Sequence, residues 1–179
     1  MHRVVLGLGS NRPHGNKSPL DILAFACAAL SVPVKDLEFS SVYRTAAMYV
    51  PEQDDFLNMA VSGFYDGSPH ELLSIVSGIE ADFGRDRSVE FRNGPRPLDI
   101  DIEFFGKLSV SDSDLVIPHP RIRERAFVLV PVLDILQKSA DVDKDMLEFL
   151  KKSLASLEGQ RVEKALDSVE FKALVSGCS

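Results

Sequence analysis

Two nearly identical helix starts, SPLD at 18–21 and SPHE at 68–71, constrain the order of elements in this chain more tightly than anything else in it. In each, a serine can cap the helix, and a proline occupies the first helical position, where no amide hydrogen is needed. A carboxylate in the first turn meets the positive end of the helix dipole. Leu20, Leu23, Ala24, Cys27 and Leu30 give the first helix one apolar face. Leu72, Ile75, Val76, Ile79 and Phe83 do the same for the second, which Gly84 terminates.

Apolar strand patterns surround both helices. VVLGLG, 4–9, precedes the first, and LEFSSVYRT, 37–45, and FLNMAVSGFYD, 56–66, lie between the two. LDIDIEFFG, 98–106, follows the second. The order strand–helix–strand–strand–helix–strand resembles the ferredoxin-like plan. A short paired segment is expected near 108–110, a helix at the end of IPHPRIRERAFVLVPVLDI, and an acidic helix around 143–157. A chain of 179 residues, 45% of them hydrophobic, builds one core. The expected division is a catalytic domain over 1–159 and a C-terminal helix or flexible tail over 160–179.

No apolar run reaches the ~18 residues that cross a bilayer, and the amino terminus goes straight into a strand pattern. Two cysteines, Cys27 in a helix and Cys178 near the end, make neither a disulfide framework nor a thiolate metal site. A cytoplasmic location is expected. The formal net charge of −7 weighs against a general nucleic-acid binder.

The strand LDIDI poses the chemical question. Its alternation sends Leu98, Ile100 and Ile102 to one face and Asp99, Asp101 and Glu103 to the other. Ionised carboxylates on a core strand lose solvation that an apolar interior cannot return, so a cation should meet them. Two carboxylates one residue apart can hold hard divalent cations, magnesium above all, while the lack of His and Cys on the strand argues against zinc. A solvated edge strand with protective charges explains the acids equally well, but it does not explain the arginines. Seven of the eleven lie between residues 85 and 125: Arg85, Arg87, Arg92, Arg96, Arg121, Arg123 and Arg125. Guanidinium forks suit phosphate oxygens. A metal with a polyphosphate accounts for both signs of charge. GxxxxGK[ST], a complete GxGxxG and the protein-kinase signatures are all absent.

The blocks LGLGSN, SSVYRT, FLNMAV, IEADFGR, GPRPLDIDI with FFG, and IPHPRIRERAFVLVPV, in this order from Val4 to Leu133, resemble the 6-hydroxymethyl-7,8-dihydropterin pyrophosphokinases of folate synthesis. The fold expected on both grounds is α+β: a ferredoxin-like antiparallel sheet with covering helices, elaborated as an α/β/α three-layer sandwich. The resemblance implies transfer of pyrophosphate from ATP to 6-hydroxymethyl-7,8-dihydropterin, release of AMP, and two magnesium ions. It makes Asp99 and Asp101 the metal ligands and, with Arg85 and Arg96, the catalytic set. Glu80, Arg87, His119, Arg123 and Arg125 become nucleotide contacts, and Asn11, Phe56, Asn58 and Phe127 become pterin contacts. The implied partners are ATP and the pterin, with no nucleic acid and no membrane, acting as a monomer with a neighbouring folate-pathway enzyme as a candidate contact.

This chain departs from the family in several places. Asn93 stands where tryptophan is common, the loop from Arg87 to Asn93 is one residue longer than in some relatives, and Ser77 stands where an amide can occur. Pro120 replaces a residue that can be aromatic. Two rivals stand beside the enzyme reading. One is a ferredoxin-like RNA-binding module using Phe56 and Phe64. The other is an inactive relative that still binds pterin or nucleotide.

Overall fold

The computed structural model describes residues 1–46, 54–85, 94–139 and 142–178. In chain order the elements are β1 (His2–Ser10), α1 (Pro19–Leu30), β2 (Lys35–Phe39), β3 (Val42–Thr45), β4 (Phe56–Tyr65), α2 (Pro69–Asp82) and β5 (Asp99–Phe105). There follow β6 (Val110–Ser111), β7 (Val116–Ile117), a 3-10 turn (Ile122–Glu124), α3 (Ala126–Leu136), α4 (Lys144–Ala155), β8 (Val162–Leu166) and α5 (Ser168–Ser176).

The two helix starts behave as the sequence predicts. Ser18 accepts from the Asp21 amide while Asp21 reaches back to the Ser18 amide, and Ser68 and Glu71 repeat the pattern, so both are capping boxes. The main sheet runs β5-β1-β4-β3-β8 with β2 also on β4, and each pairing is antiparallel. Val4, Leu6 and Leu8 of β1 face a core shared with α1, α2 and Phe171 of α5. Val5, with Ala60 and Phe104, faces a second core under α3 and α4, built on Leu129, Val132, Leu133 and Leu150. Helices therefore cover both faces, giving the expected α+β three-layer arrangement.

The stretch read as one strand over 37–45 is two. Ser40 breaks it: its hydroxyl takes the Ala60 amide at 2.8 Å and donates to the Ser41 carbonyl at 2.7 Å. β2 and β3 consequently lie one after the other along β4. Asp134 of α3 ties down this corner, accepting from the Ser41 amide at 2.7 Å, the Tyr43 hydroxyl at 3.1 Å and Lys138 at 2.9 Å. Burial alone would raise its pKa, but the bonds from Lys138, Ser41 and Tyr43 hold it below the ordinary carboxylate value. Asp134→Asn is therefore expected to cost about 1–2 kcal/mol at neutral pH. Because the folded-state pKa is depressed, that contribution is complete above the unfolded value and fades as pH falls through the folded one. Denaturant midpoints for the two proteins should converge on acidification; a gap that persists would contradict this.

The C-terminal segment carries the helix expected there, but not as a loose appendage. β8 pairs with β3, matching Thr45 with Val162, and extends the sheet. Phe171 is fully buried against Phe39. The segment's polar composition had hidden its pairing, because an edge strand with one face towards solvent carries little hydrophobic signal.

Candidate active site

The cleft opens on the α3 face of the sheet, where β1, β4 and β5 meet. Gly7 and Gly9 of β1 stand opposite Asp101 and Asp99 of β5, so no side chain from β1 fills the space beside the acids. Its wall includes Thr45, Phe56, Asn58, Arg85, Arg96, Asp99, Asp101, Glu103, His119, Arg125 and Phe127.

Asp99 and its arginines form a closed clamp. Arg85 Nη1 lies 2.6 Å from Asp99 Oδ1, and Arg96 Nη1 lies 2.8 Å from Asp99 Oδ2. Glu80 holds Arg85 from behind, accepting from its guanidinium and from the Ile100 amide at 2.8 Å. At 1% exposed, Glu80 fastens α2 to β5 and sits beneath the cleft. Asn11 is likewise a tie. Its side chain accepts from the Arg96 amide at 3.0 Å and donates to the Asp54 carbonyl at 3.1 Å. It fixes the approach of Arg96 and is not part of the cleft wall.

Asp101 is in a different position. Among the described residues, Arg125 Nη1 at 3.8 Å and His119 Nε2 at 4.0 Å face it, both beyond hydrogen-bond distance. Burial, then the charge of Asp99, pushes its pKa up to about 7, with Arg125 opposing. Glu103 is fully buried, and both its oxygens lack a hydrogen-bond partner among the described residues. Burial and Asp101 hold it well above the carboxylate range. Its place follows from a bulge: Val5 pairs with Phe104 but Leu6 pairs with Ile102, leaving Glu103 as the extra residue. Such an irregularity re-aims side chains beside functional sites. Glu103 was visible as the third acid of the alternation, whereas the bulge that buries it has no signal in sequence.

His119 is kept neutral, its pKa lowered to about 4 by burial and by Arg125. Its Nδ1 accepts from the Arg121 amide at 3.3 Å, which leaves the proton on Nε2, the nitrogen facing Asp101. Asn58, which donates to Thr45 at 2.8 Å, lines the same cleft as the half-buried rings of Phe56 and Phe127. A Cβ on Gly9 would come within 3.0 Å of Asn58 Oδ1. A larger residue there would press on the Asn58 amide.

The structure thus brings Arg85, Arg96, Asp99, Asp101, His119, Arg125, Phe56, Asn58 and Phe127 to one cleft. Arg123 is turned away, with its guanidinium 5.4 Å from the ring centroid of Phe149 on α4. Arg87, Arg92 and Asn93 lie outside the described residues. Thr45 was missed because a lone threonine ending a strand carries no signal.

The 7,8-dihydro-6-hydroxymethylpterin-pyrophosphokinase family model matches residues 5–137. The chain belongs to this family. A 2-amino-4-hydroxy-6-hydroxymethyldihydropteridine pyrophosphokinase of Methylorubrum extorquens is 38% identical over 92% of this chain and 99% of its own length. The mitochondrial folate synthesis bifunctional protein of Arabidopsis thaliana is 41% identical over 79% of this chain, but only 25% of that protein is matched. The chain thus spans between 25% and 31% of the plant bifunctional relatives. Among solved structures, wild-type Plasmodium falciparum HPPK-DHPS with pteroate superposes with a TM-score of 0.64 at 14% identity, covering 87% of this chain and 44% of that one. That likeness supports the fold.

Proposed function

We propose that the chain transfers the β,γ-pyrophosphoryl group of ATP to the hydroxymethyl oxygen of 6-hydroxymethyl-7,8-dihydropterin and releases AMP. The observation that carries this reading is the pairing of clamped Asp99 with under-partnered Asp101 in one cleft with Phe56, Asn58 and Phe127. In the transfer a bond forms from the hydroxymethyl oxygen to the β phosphorus and the bond from that phosphorus to the α,β-bridging oxygen breaks. The hydroxyl proton leaves to solvent.

Magnesium fits the donor set. Among the described residues no donor comes within hydrogen-bond distance of the Asp101 or Glu103 carboxyl oxygens, and hard carboxylate oxygens are its ligands. Asp99 and Asp101 would hold it, as two ions, and when bound it supplies charge neutralisation along the triphosphate. The chain's own residues do the rest. Arg85 and Arg96 can turn from Asp99 towards phosphate oxygens, and Arg125 approaches from the opposite wall. Phe56 and Phe127 sandwich the flat heterocycle while Asn58, oriented by Thr45, reads its polar rim. Neutral His119 offers Nε2–H as a hydrogen-bond donor to the nucleotide. We place this catalyst in the cytoplasm as a monomer, with another folate-pathway enzyme as a candidate contact. The names of the bifunctional relatives support that contact, and no helix among the described residues is long and apolar enough to cross a membrane.

The RNA-binding rival loses its platform, since helices cover both sheet faces and Phe64 lies under the Arg3 guanidinium at 4.8 Å. Incubation with ATP, Mg2+ and the reduced hydroxymethyl pterin tests the reading. AMP and a pyrophosphorylated pterin are expected; ADP, or unchanged pterin, would overturn it.

A further inference from the structure

Among the described residues Arg125 reaches the cleft without a hydrogen bond to steer its side chain. Its Nη1 stands 3.8 Å from Asp101, and its Nε is buried with no hydrogen-bond partner among the described residues. It is only 13% exposed, so its direction must come from its backbone and from the Phe127 ring, 5.6 Å from the guanidinium carbon. That backbone is a single extended residue (φ −126, ψ 102) between the 3-10 turn and α3. It lies at a helix start where Arg125 supplies no side-chain cap. A helix start left in this way exposes amide donors that need a partner from elsewhere.

The partner is Gln160. Its Oε1 accepts from the Ala126 amide at 2.8 Å and its Nε2 donates to the Glu124 carbonyl at 3.0 Å. One amide side chain thus grips the two peptide groups flanking Arg125, as a neighbouring strand would grip a residue of a ladder. Gln160 is set between a turn and a strand. Gly159, in the left-handed region at φ 76, turns the chain out of the α4 end, and β8 begins at Val162, paired with Thr45. Gln160 lies beyond the residues matched by the family model.

We propose that Gln160 is a positioning residue for Arg125, fixing the guanidinium over the phosphate end of the cleft from the C-terminal segment. The inference rests on the proposed placement of Arg125 at the nucleotide phosphates. A support that acts through backbone geometry at a reacting centre can be worth on the order of 10²-fold in rate when lost. Gln160→Met keeps the length of the side chain and removes both bonds. Gln160→Glu keeps the acceptor for Ala126 but sets a carboxylate against the Glu124 carbonyl.

The test is a double-mutant cycle read on turnover and on binding of α,β-methylene-ATP by calorimetry. Gln160→Met should lower kcat/KM for ATP on the order of 10²-fold and weaken the analogue, while KM for the pterin stays within about twofold and the far-ultraviolet spectrum is unchanged. Gln160→Glu should fall between wild type and Gln160→Met. In the Arg125→Ala background Gln160→Met should add nothing, because the group it steers is gone. Equal nucleotide affinity and turnover in wild type and Gln160→Met would overturn the inference, and so would losses that multiply in the Arg125→Ala background. A wild-type chain that binds the analogue but yields no pyrophosphorylated pterin would overturn the proposed function and leave the coupling measurable on binding. No analogue binding at all would overturn both.

Discussion

Asp101→Ala is expected to reduce turnover on the order of 10³-fold or more while leaving the folded protein as stable as wild type or more so. Asp101 is a carboxylate placed for a ligand at a cost to the fold. Burial and Asp99 raise its pKa to about 7, and neither Arg125 nor His119 comes within hydrogen-bond distance. Removing such a group relieves repulsion from Asp99, which outweighs the loose ion pair with Arg125, and breaks no hydrogen bond. Asp99→Ala should lose activity just as fully, with the opposite effect on stability. Two guanidiniums, Arg85 and Arg96, only 12% and 18% exposed, would lose the oxygens they hold at 2.6 and 2.8 Å. Steady-state kinetics beside urea unfolding separates the two. Equal stability losses in both variants would contradict the asymmetry, and near-wild-type turnover in either would remove that residue from the site.

The second large effect is expected at Glu80, and it is structural first. Glu80→Ala should destabilise the fold by about 3–5 kcal/mol, the range for breaking a buried charge pair from one side. It deprives the Ile100 amide of its 2.8 Å acceptor and Arg85 of the carboxylate behind it. Glu80→Gln keeps an oxygen for Ile100 and should cost less than half as much. Both variants should also lower kcat, because Arg85 would no longer be held against Asp99. Urea unfolding of the three proteins decides the matter, and a Glu80→Ala cost below about 1 kcal/mol, inside the range of ordinary surface changes, would show that α2 and β5 are joined by other means.

The repeated Ser-Pro-x-acid starts made the helices legible, because capping chemistry is local and leaves its residues in order. The acid–apolar alternation of 98–103 is legible for the same reason, because a strand's period of two puts Asp99 and Asp101 on one face. Whatever depends on a partner distant in sequence was not legible. Glu80 and Asn11 each close a bond to a backbone group brought alongside only by folding, which no local pattern announces. Arg123 sits two residues from Arg125 in an arginine-rich run, but the 3-10 turn sends it to Phe149. The polar stretch from 160 onwards looked like an appendage, because its contribution is a ladder and one side-chain amide, neither of which needs hydrophobic residues.

The central claim is that Asp99 and Asp101 gather divalent cations for the tail of a nucleotide. The most direct measurement is electron paramagnetic resonance of Mn2+ titrated into the wild-type chain and Asp101→Asn, with and without α,β-methylene-ATP. Tight Mn2+ binding by the wild-type complex with the analogue, lost in Asp101→Asn while circular dichroism is unchanged, is the predicted result. The same Mn2+ affinity in both proteins would contradict the claim.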